Sequence, residues 1–182
     1  MQIVLVRHGE PEWVRDGLNV DNPPLTDRGH RQAGFMASAL KDEHFDEVFV
    51  SPLTRAQQTA APLYEALDRQ QEVDFWLEEI RNPIWHGTPR EKAALAYQAE
   101  RARPAYDQWE GLEGGEPVRD FVARIRQGCG LFLAERGVEP APGDLPVWHI
   151  ENPGRRICIV AHAGTNSVVV CHLLGLTPVP WE

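Results

Sequence analysis

Ile3-Val4-Leu5-Val6-Arg7-His8-Gly9-Glu10 is the stretch from which the rest of this chain can be read. Its first four residues form a short, continuous apolar run rich in β-branched side chains, the pattern of a strand buried on both faces of a parallel sheet. The run stops abruptly at Arg7 and His8. The same arrangement recurs twice. Val48-Phe49-Val50 leads into Ser51 and Pro52, an N-cap and first-turn pair, which places Arg55 near the start of a helix. Ile157-Cys158-Ile159-Val160-Ala161 ends at His162, after which Thr165 or Asn166 would cap a helix that runs through Leu174 and is closed by Gly175. Open α/β sheets bind ligands beyond the carboxyl ends of their strands, where βα loops and helix N-termini converge. Three parallel neighbouring strands would therefore bring Arg7, His8, Arg55 and His162 into one cleft.

Crossover helices fit between these strands. Asp27 to about Leu40, capped by Thr26, carries Ala33, Met36, Ala37 and Leu40 on one face. A longer segment from about Pro117 to Arg136 sets Val118, Phe121, Val122, Ile125, Cys129, Phe132 and Leu133 at helical spacing and ends at Gly137. Gly128 and Gly130 lie inside it and each costs roughly 1 kcal/mol against Ala, which predicts a weak or bent stretch there. Residues 82–115, with Pro83, Trp85, Pro89, a helical stretch around Glu91 to Tyr106 and the Gly114-Gly115 break, read as an insertion capping the cleft. Glu139 to Gly154 reads as a surface loop with one short edge strand.

Composition bounds the function. The chain has 182 residues, 42% of them hydrophobic, enough for one sizeable core and one domain over 1–182. Its formal net charge is −9, so no global positive field exists to hold nucleic acid or an anionic membrane, and an anionic ligand must be caught by a local arginine cluster. Cys129, Cys158 and Cys171 are odd in number and lack zinc-ligand spacing, which fits a reducing cytoplasm. Neither a signal peptide nor a membrane-spanning run is expected.

Arg7-His8-Gly9-Glu10 resembles the signature of the histidine phosphatase superfamily, which includes the phosphoglycerate mutase-like enzymes. The resemblance continues in order along nearly the whole chain. It takes in Pro24-Leu25-Thr26 with Gly29, Gln32 and Ala33, and Ser51-Pro52-Leu53-Thr54-Arg55-Ala56 with Thr59 and Ala60. Leu77, Glu79, Trp85 and Gly87 follow, then Gly114-Gly115-Glu116 with Arg124, and Ala161-His162-Ala163-Gly164. The resemblance implies an α/β fold: a three-layer αβα sandwich with a mostly parallel central sheet, helices on both faces and a small cap. It also implies that His8 is a nucleophile passing through a phosphohistidine, that Arg7, Arg55 and His162 form the phosphate pocket, and that Glu79 is the proton donor, with a pKa above that of a free Glu. Guanidinium forks match phosphate oxygens, and positioning with electrostatics carries phosphoryl transfer. Adjacent Glu78 is an equal carboxylate by composition; spacing to Trp85 and Gly87 selects Glu79.

The expected activity is hydrolysis of a small phosphomonoester without metal or cofactor. The alternatives are mutase-type phosphoryl transfer and a non-catalytic phospholigand-binding module; a homodimer is left open beside a monomer. The chain departs from the family pattern at three places. Val14 stands where Asn is usual, so a polar contact to phosphate is either lost or supplied by Asn19. His86 replaces the acid usual after the cap Trp, and the chain stops at Trp181-Glu182, where relatives continue into another strand. Trp13, Trp76, Trp85 and Trp109 are expected in core or cap packing. Arg81, Arg90, Arg101 and Arg103 are expected in solvent, with one or two in reach of a second anionic group.

Overall fold

The computed structural model describes residues 1–143 and 147–178. Eight strands follow in chain order: β1 Gln2–Arg7, β2 Val14–Arg15, β3 Leu18–Asn19, β4 Glu47–Val50, β5 Glu72–Val73, β6 Val138–Pro140, β7 Trp148–Ile150 and β8 Arg156–Ala161. Five α-helices accompany them: α1 Asp27–Leu40, α2 Thr54–Ala66, α3 Arg90–Arg101, α4 Val118–Ala134 and α5 Ala163–Leu173.

The central sheet has the order β1-β8-β4-β5, with every pairing parallel. Chain order and sheet order differ because β8, last in sequence, lies between β1 and β4. All three apolar runs are thus neighbours in the same direction, and their carboxyl ends lie side by side. Backbone pairing carries one residue further at each end: His8 N–H donates to Ala161 O at 3.0 Å, and Ser51 N–H to Val160 O at 3.0 Å. His8 and Ser51 are therefore held by the sheet rather than by free loops.

The two-residue period of a strand makes the three layers. In β8, Ile157, Ile159 and Ala161 face a core shared with Phe121, Val122, Ile125, Phe132 and Leu133 of α4 and Val168 and Val169 of α5. Cys158 and Val160 face the opposite core, with Ala37 of α1, Ala56, Ala60, Leu63 and Tyr64 of α2, and Val48 and Val50 of β4. Apolar side chains on alternate faces require helices on both.

Several local expectations are corrected. Ser51 does not cap α2: that helix begins at Thr54 with Leu53 as N-cap and no side-chain cap, because the Ser51 hydroxyl is engaged by His162. α5 starts earlier than Thr165 or Asn166 would allow, with His162 itself at the N-cap. α4 runs unbroken through Gly128 and Gly130. Gly128 is there for packing, since a Cβ on it would lie 2.5 Å from the Trp76 Cβ. The segment after α4 forms a hairpin, β6 against β7, where one edge strand was expected. A second hairpin, β2 against β3, turns through Asp16 and Gly17, both with positive φ. α3 is shorter than Glu91 to Tyr106, and a 3₁₀ turn at Asp107–Glu110 follows it. The departure at Trp181-Glu182 lies outside the described residues.

Candidate active site

A cavity of about 560 Å³ opens at the carboxyl end of the sheet, with Arg7, His8, Arg55, Glu79 and Gly164 in its wall. Residues 82–115 contribute Asn82, Tyr97, Glu100, Arg101 and Gln108 to the same wall. α3 has no buried residue and packs its face across the opening, with Tyr97 set edge-on against Trp85 at 5.5 Å between ring centroids.

His8 is the first residue past β1, and both its ring nitrogens are assigned by their neighbours. Nδ1 lies 2.7 Å from Gly9 O, a group that only accepts, so Nδ1 carries the proton. Nε2 then presents a lone pair, and Arg55 Nε–H donates to it at 3.3 Å. Burial, together with the positive charges of Arg55 and Arg7, lowers the His8 pKa to about 4, against the opposing effect of the Gly9 carbonyl. The imidazole is therefore neutral at neutral pH, with Nε2 unprotonated and its lone pair turned toward Arg55. The loop can take this path because Gly9 and Gly29 touch backbone to backbone: a Cβ on Gly9 would lie 2.6 Å from Gly29 O. Thr59 Oγ1 also accepts from Gly9 N–H at 2.9 Å.

Arg55, in the first turn of α2, is only 5% exposed. Among the described residues no carboxylate forms an ion pair with it. Burial lowers its pKa to about 10, partly offset by Glu79 and Tyr97, so it remains a desolvated cation. Trp13 stacks over its guanidinium at 4.9 Å. Arg7 lines the cavity beside it, exposed to solvent. His162 lies under His8, with ring centroids 5.1 Å apart, and is fully buried. Its Nε2 pairs with Ser51 Oγ at 2.7 Å, while its Nδ1 is buried without a partner. Burial first, then Arg55 and His8, lower the His162 pKa to about 2.

Glu79 follows the 3₁₀ turn at Phe75–Leu77 and reaches the N-terminus of α5. Its Oε2 accepts from Gly164 N–H at 2.9 Å and its Oε1 from Ile80 N–H at 3.0 Å. Burial raises its pKa, and this outweighs the lowering by those amides and by Arg55. Glu78 turns the other way and pairs with Arg81 at 2.6 Å, so the structure separates two carboxylates that composition could not. The backbone under Glu79 is gripped by Arg124 of α4, which donates to Glu78 O at 2.8 Å and Glu79 O at 2.9 Å.

The structure thus brings Arg7, His8, Arg55, Glu79 and His162 together, and it leaves Asn19 out. The Asn19 amide donates to Pro89 O at 2.8 Å and to Thr88 Oγ1 at 3.1 Å, tying β3 to the start of α3, and it is spent there. His86 is likewise away from the cavity wall, exchanging hydrogen bonds with Asp21. Trp13, expected in packing, is 47% exposed and forms part of the cavity lining over Arg55. Of the arginines expected in solvent, Arg81 and Arg101 line the cavity, and Arg103 is paired with Glu100. The sequence reads Ser51 only as a helix cap and gives Tyr97 and Gly164 no role at the site; Ser51 and Gly164 lie within the motif stretches 51–56 and 161–164, whereas Tyr97 carries no such signal.

The family model for the histidine phosphatase superfamily (branch 1) matches residues 3–182. The chain belongs to this superfamily. Among histidine phosphatase relatives is the 2-carboxy-D-arabinitol-1-phosphatase of Triticum aestivum, 28% identical across 96% of this chain and 33% of its own length. The chain thus spans about a third of that plant protein. A 2,3-bisphosphoglycerate-dependent phosphoglycerate mutase of Methylobacterium is 32% identical over 96% of this chain and 81% of its own. Among solved structures, the mycobacterial glucosyl-3-phosphoglycerate phosphatase superposes with a TM-score of 0.70 at 27% identity, covering 98% of this chain and 81% of that one. The α/β fold with helices on both faces of a parallel sheet is the histidine phosphatase fold.

Proposed function

We propose that the protein is a phosphomonoester hydrolase acting on a small phosphorylated metabolite through a phosphohistidine on His8. The observation that carries this reading is the state of His8. Its tautomer is set by Gly9 O, its Nε2 is unprotonated, and a desolvated guanidinium stands 3.3 Å away. A phosphoryl group beside Nε2 would meet Arg55 and Arg7 as fork donors and offer an acceptor to the unpaired Nδ1 of His162. Nε2 forms a bond to phosphorus as the ester P–O bond breaks. Glu79, whose pKa burial raises, gives its proton to the leaving oxygen. In the second half, Glu79 takes a proton from water as that water attacks phosphorus and the P–N bond breaks, restoring His8 and releasing phosphate.

Rapid quenching of a turnover reaction tests the proposal. A phosphoenzyme that survives alkali, is destroyed by acid and is missing in His8→Ala is the expected result. Its persistence in His8→Ala would remove His8 from the mechanism. The mutase-named relative favours phosphoryl shuttling as a second reading. Incubating 3-phosphoglycerate with and without 2,3-bisphosphoglycerate separates the two, since only a mutase makes 2-phosphoglycerate.

The phosphatases named among the relatives suit a substrate range of sugar phosphates and phosphorylated small acids. We place the work in the cytoplasm because Cys129, Cys158 and Cys171 are free thiols and burial pushes Cys129 and Cys158 up to about 12, keeping them inert. No helix among the described residues is long and apolar enough to cross a membrane.

A further inference from the structure

We propose that Arg124, held by Glu116, is the positioning residue that aims the Glu79 carboxyl at the reacting oxygen. The inference rests on the hydrolase reading for its kinetic consequence, though not for its structural one.

Glu79 sits on irregular chain between a 3₁₀ turn and the segment beginning at residue 82, where no sheet ladder or helix fixes the backbone. What fixes it is a guanidinium on α4 together with its carboxylate partner, with Thr165 Oγ1 adding a longer bond to Glu78 O at 3.5 Å. Arg124 Nη1 donates to Glu78 O at 2.8 Å and Nη2 to Glu79 O at 2.9 Å. The same Nη2 and Nε donate to the two Glu116 oxygens at 2.9 and 2.6 Å. Glu116 then closes on the next residue along: Arg81 N–H donates to Glu116 Oε2 at 3.0 Å, and Glu116 N–H to Arg81 O at 2.7 Å. Three of the four residues from 78 to 81, all but Ile80, are thereby bound to α4 and the turn before it. Ile80 N–H is left to hold the Glu79 carboxylate itself. Only a planar fork donates to two successive carbonyls and a carboxylate at once; an ammonium has neither the reach nor the geometry.

The side chains involved are largely out of water, 23% exposed for Arg124 and 10% for Glu116. An ion pair so placed adds little net stability over apolar replacements, whereas it specifies geometry well. A proton donor displaced by an ångström loses most of its effect, so the natural consequence of such a clamp is alignment of the acid. Around the carboxyl itself stand Arg55 and Tyr97, with the Gly164 amide opposite, none of them attached to Arg124.

The test uses Arg124→Met in the full chain, with Glu79→Gln and the double variant. On an alkyl phosphate, kcat should fall about 10- to 100-fold with KM changed by less than about twofold, because the phosphate cluster is untouched. On an aryl phosphate, whose leaving group needs no proton, the loss should stay below about threefold. In the Glu79→Gln background Arg124→Met should have almost no further effect on the alkyl substrate, since its target is already gone. Arg124→Lys should recover little of the alkyl rate, because it keeps the charge but not the fork. Equal losses on both substrates, or full multiplication of the two single effects, would overturn the proposal. A readout independent of turnover is the titration of Glu79 followed by carbon NMR of labelled glutamate. In Arg124→Lys, which keeps the charge, the raised Glu79 pKa should move back toward the ordinary carboxylate range as the carboxyl leaves its buried position. A wild-type titration in that variant would refute the clamp even if the protein hydrolyses nothing. A moved titration with no hydrolysis would refute only the hydrolase reading.

Discussion

Gly164 and Glu79 are in contact so close that a methyl group on the glycine would lie 2.5 Å from Glu79 Oε1, while the glycine's own amide donates to Oε2 at 2.9 Å. The carboxyl thus occupies the volume a side chain at position 164 would need, and takes its hydrogen bond from the same residue. Gly164→Ala should push the carboxyl away without disturbing the buried core. We expect alkyl phosphate turnover to drop about 100-fold, the scale of a lost general acid, with aryl phosphate turnover nearly kept. A crystal structure of the variant with Glu79 unmoved, or an unchanged alkyl rate, would contradict this.

Removing the acid and removing the nucleophile should differ in kind. Glu79→Gln keeps His8 Nε2 available and should slow alkyl esters more than aryl esters in single-turnover phosphorylation. His8→Ala should abolish both. Equal losses for the two ester types in Glu79→Gln would shift the donor role elsewhere.

Trp13 covers the Arg55 guanidinium at 4.9 Å from an exposed position, so it desolvates the cation and contributes its ring face. Trp13→Ala should raise the inhibition constant of a tetrahedral oxyanion such as vanadate by about 2- to 5-fold, in line with the ~0.5–1 kcal/mol of an exposed cation–π contact. Trp13→Phe should recover part of it. Isothermal titration of vanadate reads this directly, and unchanged affinity in Trp13→Ala would assign the indole to packing alone.

Acid should destabilise the fold through its two clustered imidazoles. Folded His8 and His162 titrate near 4 and 2, both below the ordinary 6.5, chiefly through burial. Between about 6.5 and 4 the unfolded chain therefore binds more protons than the folded one, and stability falls with falling pH. The stability these neutral rings allow is complete above 6.5. Thermal unfolding followed from pH 7.5 to 5 should show a declining Tm, and the decline should be shallower in His162→Gln. Identical slopes would show that other groups carry the acid sensitivity.

Arg7, His8 and Arg55 line the cavity wall, so on the proposed mechanism aryl phosphatase activity should persist in excess chelator. Complete loss on chelation with recovery on adding a divalent cation would require a different mechanism.

Much of this was legible along the chain. Three apolar runs ending in Arg7-His8, Ser51 and His162 identify parallel strands and their functional ends, because a strand buried on both faces has no polar side chains until it emerges. Thr26 caps α1 as read, its hydroxyl accepting from Gly29 N–H at 3.0 Å, since capping depends on neighbours three residues apart. The failures share one cause. Ser51 reads as a cap and serves His162, 111 residues away; Asn19 reads as a phosphate ligand and is spent on Thr88 and Pro89; Trp13 reads as packing and lies over Arg55. Each of these side chains finds its partner from 42 to 111 residues away, beyond the reach of local pattern.

The sequence by itself determined the class of fold, the strand ends and the set of residue types that would converge there, because periodicity and chain punctuation are short-range properties. Only the tertiary structure decided which nitrogen of His8 is free, which of Glu78 and Glu79 turns inward, and what holds the latter in place. The first turns on a bend that brings the neighbouring Gly9 O onto Nδ1 of a buried ring; the others depend on hydrogen bonds spanning from 45 to 85 residues, Arg124 to Glu79 and Gly164 to Glu79 among them, and desolvation is a property of the packed molecule rather than of any segment of it.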